Sequence, residues 1–227
     1  MAMAIKTEEI QRKILHFIFG TIIPLGIFYI PMYAEKASWK ALPPWTLPPI
    51  ILAFFLALFV ILETLRFRVP AIQKIFHRFF GSMLRLEEVK KTTGATYILA
   101  SSLLCSLVFK NYPYVSLMVL STFIWGDAVA ALVGQSMGKT RIGSKSLEGS
   151  IACLVLCLVF FLGIFPNLPF LLDKWNGKIP LSLTIIASLC ITTLELFTIK
   201  VRGFEVNDNL SVPVITGIVM ILLYPLL

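Results

Sequence analysis

The sequence predicts an all-α, polytopic integral membrane protein of about seven transmembrane helices, with one further amphipathic helix at the membrane surface. Three observations lead there. Of the 227 residues, 58% are hydrophobic, and the mean hydropathy is +0.88. Only 14% are charged, where soluble domains carry about a quarter. Those charges fall between apolar runs of about 20 residues, the length that crosses a hydrocarbon core.

In chain order the runs are about 14–32, 46–66, 94–111, 113–134, 149–165, 180–200 and 211–226. Residues 1–13 read as a short amphipathic lead. Pro43, Pro44, Pro48 and Pro49 mark the entry to the second span. Residues 70–86 hold Ile72, Ile75, Phe76, Phe79 and Phe80 at helical spacing among Lys74, His77, Arg78 and Arg85. That is the pattern of a helix lying in the interface. Asn111, Tyr112 and Pro113 form a tight connection between the third and fourth spans. With no repeat and no low-complexity segment, residues 1–227 read as a single membrane-embedded domain. Glu8 and Glu9 precede the first apolar run and no small-residue cleavage site ends it, which argues against a cleavable signal. Cys105, Cys153, Cys157 and Cys190 all lie in apolar runs. Cys153 and Cys157 share a helical face, but no His or second Cys pair accompanies them, so they read as packing residues.

Orientation follows from Lys and Arg. With the N-terminus in the cytoplasm, only Lys36, Lys40, Lys110, Lys174 and Lys178, five of the 20 Lys and Arg residues, fall outside. The N-terminus is therefore expected in the cytoplasm and the C-terminus outside, in a cell inner membrane. Under this orientation four polar clusters meet at cytoplasmic span ends: Arg12-Lys13 with His16, Glu87 to Tyr97, Gly126-Asp127 to Gly149, and Asn207-Asp208-Asn209. Positive-inside charge accounts for Arg12 and Lys13. It leaves Asp127, Glu148, Asp208 and the density of glycine to be explained.

Asp127 lies a turn or two inside the fourth span, and a carboxylate at membrane depth marks function by default. Gly126, Ala130, Gly134 and Gly138 recur every four residues. One reading is a helix-packing seam. The other is that Asp127 holds Mg²⁺, which binds through one or two carboxylates plus substrate phosphates. In that second reading Gly138 and Gly143 let backbone approach a polyphosphate, while Lys139, Arg141 and Lys145 neutralise its oxygens. Thr92 or Thr93 either caps the third span or helps bind phosphate at its N-terminus, with Lys90 and Lys91 alongside. His16 has Arg12 one turn before it and is either structural or a phosphate contact. Glu195, nearer the middle of the sixth span, is a functional candidate. Glu63 has Arg66 and Arg68 as pairing partners.

Five motifs occur in order: Arg12-Lys13-xx-His16, Lys91-Thr-Thr-Gly94-Ala-Thr-Tyr97, Gly126-Asp127-Ala-x-Ala-Ala-x-x-Gly134-xxx-Gly138-Lys139, Lys145-Ser146-x-Glu148-Gly149-Ser150 and Asp208-Asn209-Leu-x-x-Pro213. Together they resemble the CTP-dependent lipid kinases: dolichol kinase, phytol kinase and the CTP-using diacylglycerol kinase. A more distant similarity, through Gly-Asp and Lys-Ser-x-Glu-Gly, is to phosphatidate cytidylyltransferase. The resemblance implies transfer of the γ-phosphate of CTP to a membrane lipid alcohol, with Mg²⁺ as cofactor and no nucleic-acid partner. It implies catalytic roles for Asp127, Glu148 (as general base) and Lys145. Nucleotide contacts are implied for Arg12, Lys13, His16, Lys91, Thr93, Gly94, Gly134, Gly138, Lys139, Arg141, Ser146, Gly149 and Asn209, and metal contacts for Asp127 and Asp208. One departure stands out: Asn207 occupies a position where many relatives carry a first aspartate. Lack of a His-Gly-Gly element with paired aspartates after Lys200 favours kinase over cytidylyltransferase. The remaining alternative, a small transporter, rests on Glu195; one-sided polar clustering and the lack of an inverted repeat stand against it.

Overall fold

The computed structural model describes residues 7–81, 91–175, 177–201 and 204–223. Eight α-helices are present among the described residues: α1 (Thr7–Lys36), α2 (Leu47–Arg68), α3 (Pro70–Phe80), α4 (Gly94–Val108), α5 (Pro113–Ser136), α6 (Leu147–Val159), α7 (Leu181–Leu196) and α8 (Asp208–Leu223). Among the described residues, four stretches are long and apolar enough to cross a membrane: Gln11–Lys36, Pro44–Arg68, Pro113–Ser136 and Leu147–Asn167. α4, α7 and α8 are shorter apolar helices. Expected sites at Glu87, Glu88 and Lys90, and the charges Arg85 and Arg202, lie outside the described residues.

Local chemistry sets the helix boundaries. Proline occupies the first turn of α2, α3 and α5, where its missing N–H has no intrahelical partner to lose. Val69, ahead of Pro70, is extended, so α2 stops there and α3 begins in a new direction. The expected lead over 1–13 is, from Thr7 on, the first turns of α1 itself, because nothing in Thr7–Lys13 interrupts the helix. The fifth run ends its α-helix at Val159 and continues through a π turn (Phe160–Ile164) and a 3-10 turn (Phe165–Asn167). Two short hairpins went unforeseen: β1 (Arg141–Ile142) with β2 (Lys145–Ser146), and β3 (Lys200–Val201) with β4 (Phe204–Glu205).

The bundle is built around α5. Every residue of 114–124 is buried, and a helix that is apolar all round belongs in a core. α5 packs on α1, α6 and α8, with α4 and α7 completing the layer around it. Outward faces are apolar instead of polar: Ile22, Phe54, Ile61, Val155, Leu162 and Leu222 are all exposed. Such a surface is matched to hydrocarbon, not water.

The two ends differ chemically. At one end Tyr29 donates to the Pro169 carbonyl at 2.9 Å, Lys36 lies 4.3 Å from the centre of the Phe170 ring, and Lys110 lies 4.9 Å from that of Trp45. Tyr112 and Tyr114 meet edge-on at the α4–α5 turn. An aromatic rim with snorkelling lysines is what a membrane–water boundary selects. The opposite end collects the start of α1, the ends of α2 and α7, and the starts of α4, α6 and α8.

Gly217 of α8 sits against the ring of Phe109, which is 1% exposed. Even a single added carbon there would collide with the ring. A Gly217→Val substitution is therefore expected to destabilise the bundle by about 1–3 kcal/mol, the usual range for overpacking. Thermal unfolding in detergent checks this, and adding Phe109→Leu is expected to recover part of the loss.

Candidate functional site

Lys13 projects from α1 onto α5. Its ammonium donates to Asp127 Oδ2 at 2.9 Å and to the Asp127 carbonyl at 3.4 Å. The Lys13 side chain is 1% exposed and that of Asp127 17%. A buried lysine in an apolar bundle requires a carboxylate partner, and each compensates the desolvation of the other. One turn on, His16 Nδ1 lies 3.0 Å from the Arg12 carbonyl. A carbonyl only accepts, so Nδ1 carries the hydrogen. Arg12 itself is buried beside this pair. The first motif and the Gly-Asp motif thus meet across 114 residues of sequence.

A second cluster is centred on Lys145 of β2. Its ammonium lies 2.9 Å from Asp208 Oδ2 of α8 and 2.9 Å from Glu195 Oε1 of α7, and it also donates to the Glu195 carbonyl. Those three contacts use all three ammonium donors. Burial pulls the Lys145 pKa down, but the Asp208 and Glu195 carboxylates more than offset it and hold the ammonium above its ordinary 10.5. Stability from this triad is complete below that ordinary value and is lost only as pH rises through the raised one. Asp127 is also within electrostatic reach of Glu195, as is Asp208. The Lys13 and Lys145 clusters therefore form one electrostatic neighbourhood. Lys145 is an ion-pair hub in this arrangement, with its donors turned to protein carboxylates.

Glu195 differs from its sequence reading. It stands in the last turn of α7, which ends at Leu196 because Phe197 turns extended. It is therefore at the polar end of the bundle, 4% exposed, and removed from the middle of a span. The feature that suggested transport thus belongs to the Lys145 cluster.

The hairpin that carries Lys145 is shaped by its glycines. Gly143, with φ of 61°, takes the first central position of a two-residue turn, where a type II′ turn needs positive φ. Ser146 then caps α6, its hydroxyl accepting the Gly149 N–H at 3.1 Å. Both Glu148 carboxylate oxygens accept from the Thr140 N–H, at 3.0 and 3.3 Å, tying the start of the hairpin to the start of α6. Gly126, Gly134 and Gly138 face α6 and the hairpin. An added carbon would meet Cys153 Sγ at 2.8 Å from Gly126, and Ser146 Oγ at 2.7 Å from Gly134 and 2.9 Å from Gly138. Gly149 approaches the Ala130 carbonyl in the same way. Of the two readings of this stripe, the contacts are those of a packing seam. Lys139 and Arg141, just past it, are exposed.

The turn ahead of α4 is held from α2. Thr93 is the N-cap residue but makes no capping bond of its own. Its N–H and its hydroxyl instead donate to Glu63 Oε1, at 2.8 and 2.6 Å. A carboxylate from a neighbouring helix thus takes the place at this helix N-terminus that the sequence offered to a phosphate. Arg66, one turn along α2, donates to the Lys91 carbonyl at 2.8 Å and lies 4.0 Å from Glu63. Lys91 is exposed, and Gly94 opens α4. At α8, Asn207 Oδ1 accepts the Asn209 N–H at 3.0 Å, and Asp208 Oδ1 lies 3.1 Å from the same nitrogen. Asn207 thus serves as a local turn-former at the helix start.

Sequence reasoning missed Glu63 as the anchor of the α4 turn and Glu195 as a partner of Lys145. The signal for the first was Glu63-x-x-Arg66 beside a cap sequence; nothing local signals the second. Among the described residues, no group of three or more His, Cys, Asp or Glu side chains converges as an ion-holding set. Asp127 and Asp208 lie in separate clusters, each with one oxygen 2.9 Å from a lysine ammonium.

The chain is similar in sequence to named lipid kinases along nearly its whole length. The chain is 28% identical over 229 residues to CTP-dependent diacylglycerol kinase 1 of Saccharomyces cerevisiae, covering 95% of this chain and 73% of that protein. It is 26% identical to CTP-dependent diacylglycerol kinase 1 of Schizosaccharomyces pombe, covering 96% and 94%. It is 23% identical to phytol kinase of a Synechocystis species, covering 93% and 78%. These similarities support the CTP-dependent lipid kinase family that the motifs pointed to. No family model matches the chain, and no solved structure matches it.

Removing one member of the Lys13–Asp127 pair is expected to be costly. Lys13→Met leaves a carboxylate uncompensated and is expected to lose about 3–5 kcal/mol of stability. The double variant Lys13→Met/Asp127→Asn is expected to recover most of that. Equilibrium unfolding of the three proteins in one detergent checks the coupling.

Proposed function

We propose that this protein transfers the γ-phosphate of CTP to the hydroxyl of a membrane lipid alcohol, a polyprenol, phytol or diacylglycerol, at the cytoplasmic face. One observation carries the reading. Two lysine–carboxylate clusters gather motif residues from α1, α5, β2 and α8, together with Glu195 of α7, at one end of an apolar bundle. This is where a water-soluble donor meets an acceptor whose tail stays in lipid. In this reading all seven apolar segments are spans of an inner membrane. α3 lies in the interface, the N-terminus is cytoplasmic, and the C-terminus is outside.

Phosphoryl transfer requires positioning and charge neutralisation more than covalent chemistry by the protein. Lys139 and Arg141, exposed on the hairpin, and Lys91, exposed at the head of α4, supply cations to the nucleotide phosphates. Arg12 and His16 line the α1 side, and Ser146, Gly149, Gly134 and Gly138 give the hairpin its close seat on α5. Asp127 and Asp208 are the residues that would hold Mg²⁺, which when bound supplies charge neutralisation on the phosphates. Lys13 and Lys145 fix those two carboxylates in place. The lipid oxygen bonds to the γ-phosphorus, the bond from that phosphorus to the β,γ-bridging oxygen breaks, and CDP leaves. Glu148 accepts the hydroxyl proton on a carboxylate that also accepts the Thr140 N–H.

The purified protein, given Mg²⁺, a panel of lipid alcohols and phosphatidate, and CTP labelled at the α or γ phosphate, decides the reaction. Label reaching lipid only from the γ position is expected, and the acceptor that gains it names the substrate. Label from the α position with pyrophosphate release would mean a CDP-lipid product and overturn the kinase reading. Glu148→Gln keeps an acceptor for the Thr140 N–H. It is expected to lower kcat by about 10²-fold or more with little change in the KM for CTP. Lys139→Ala and Arg141→Ala are expected to do the reverse, raising that KM.

A further inference from the structure

α3 takes part in none of the ion pairs described above, and its faces divide sharply. Phe76 is buried, 7% exposed, with its ring under the Arg66 guanidinium at 4.6 Å. Ile75 and Phe79, four residues apart, are 58% and 66% exposed. Lys74, His77 and Arg78 are exposed on the flanks, and Arg68 is exposed just before the helix. No acidic residue occurs from Arg66 through Phe80. Apolar side chains without a protein partner, bordered by cations alone, complement a surface that is apolar beneath and anionic at its rim. Positive-inside charge by itself would explain the cations but not the exposed Ile75 and Phe79 between them.

Arg66 gives this face a route inward. It is 3% exposed, stacks on Phe76 and on Phe67, and donates to the Lys91 carbonyl at 2.8 Å. Its neighbour Glu63 accepts from both the N–H and the hydroxyl of Thr93. One planar guanidinium thus touches α3 on one side and the turn that heads α4 on the other. A lysine in its place would keep the charge but lose the stacked plane and the fixed fork of donors.

We propose that α3 is a binding surface for anionic phospholipid headgroups, and that Arg66 relays its seating to the Lys91–Thr93 turn as a positioning residue. The consequence for nucleotide binding rests on the kinase reading; the lipid contact and the relay do not.

Hydrogen exchange in nanodiscs tests both parts without relying on catalysis. Wild-type protein is compared in phosphatidylcholine discs and in discs with added phosphatidylglycerol. Exchange over 70–80 and over 91–97 is expected to slow by about five- to thirty-fold in the anionic discs, the range one or two headgroup contacts supply. Salt near 1 M is expected to erase the difference. Lys74→Glu/Arg78→Glu is expected to abolish the slowing in both segments while leaving activity in phosphatidylcholine discs unchanged. Arg66→Lys is expected to keep it in 70–80 and lose it in 91–97. Equal exchange in the two discs for wild type, or slowing that survives the double charge reversal, overturns the headgroup surface. Slowing retained at 91–97 in Arg66→Lys overturns the relay. A kinase assay that fails while these exchange differences hold would count against the proposed function alone.

Discussion

The rest of the structure depends on how three carboxylates are paired at the end of an apolar bundle. Glu195 is buried and Asp127 and Asp208 are partly buried, and an unpaired carboxylate in such a place is costly. Lys13 and Lys145 offset that cost by reaching across helices, each at 2.9 Å from its partners. The consequence is architectural as well as electrostatic. Lys13 fixes α1 against α5, and Lys145 fixes the β1–β2 hairpin against α7 and α8. A site assembled from five elements is thereby held by two ammonium groups.

Around these hubs, backbone proximity is achieved by leaving side chains out. The Gly126–Ala130–Gly134–Gly138 stripe lets α6 and the hairpin lie directly on α5, so that Ser146 both caps α6 and fills the space beside Gly134 and Gly138. Glu148 then closes the hairpin onto Thr140. Packing and chemistry are not alternatives here. Just past the seam, Lys139 and Arg141 are exposed.

On the other side of the same end, Glu63 and Arg66 perform a parallel task for α4. A carboxylate at a helix N-terminus and a guanidinium on the preceding carbonyl fix a turn that its own threonine side chain does not cap. Because Arg66 also stacks on Phe76, the amphipathic α3 and the α4 turn share one anchor. α3 and the turn that heads α4 are therefore mechanically coupled.

What the sequence by itself determined is what short-range physics controls. Hydropathy and 3.6-residue spacing located the apolar helices, since burial in hydrocarbon is read from each run independently. Proline positions fixed several helix starts, and Arg-Ile-Gly143-Ser-Lys carried an unread hairpin signal in its Gly-x turn. The motif residues on the polar end were legible as types: buried carboxylates, cations and glycines in order. Their pairing was decided only by tertiary structure. Lys13 finds Asp127 across 114 residues, and Lys145 finds Asp208 across 63. No local pattern distinguishes a lysine that meets a phosphate from one that neutralises a buried carboxylate. That choice depends on which helices pack together and on the depth at which each charge then lies.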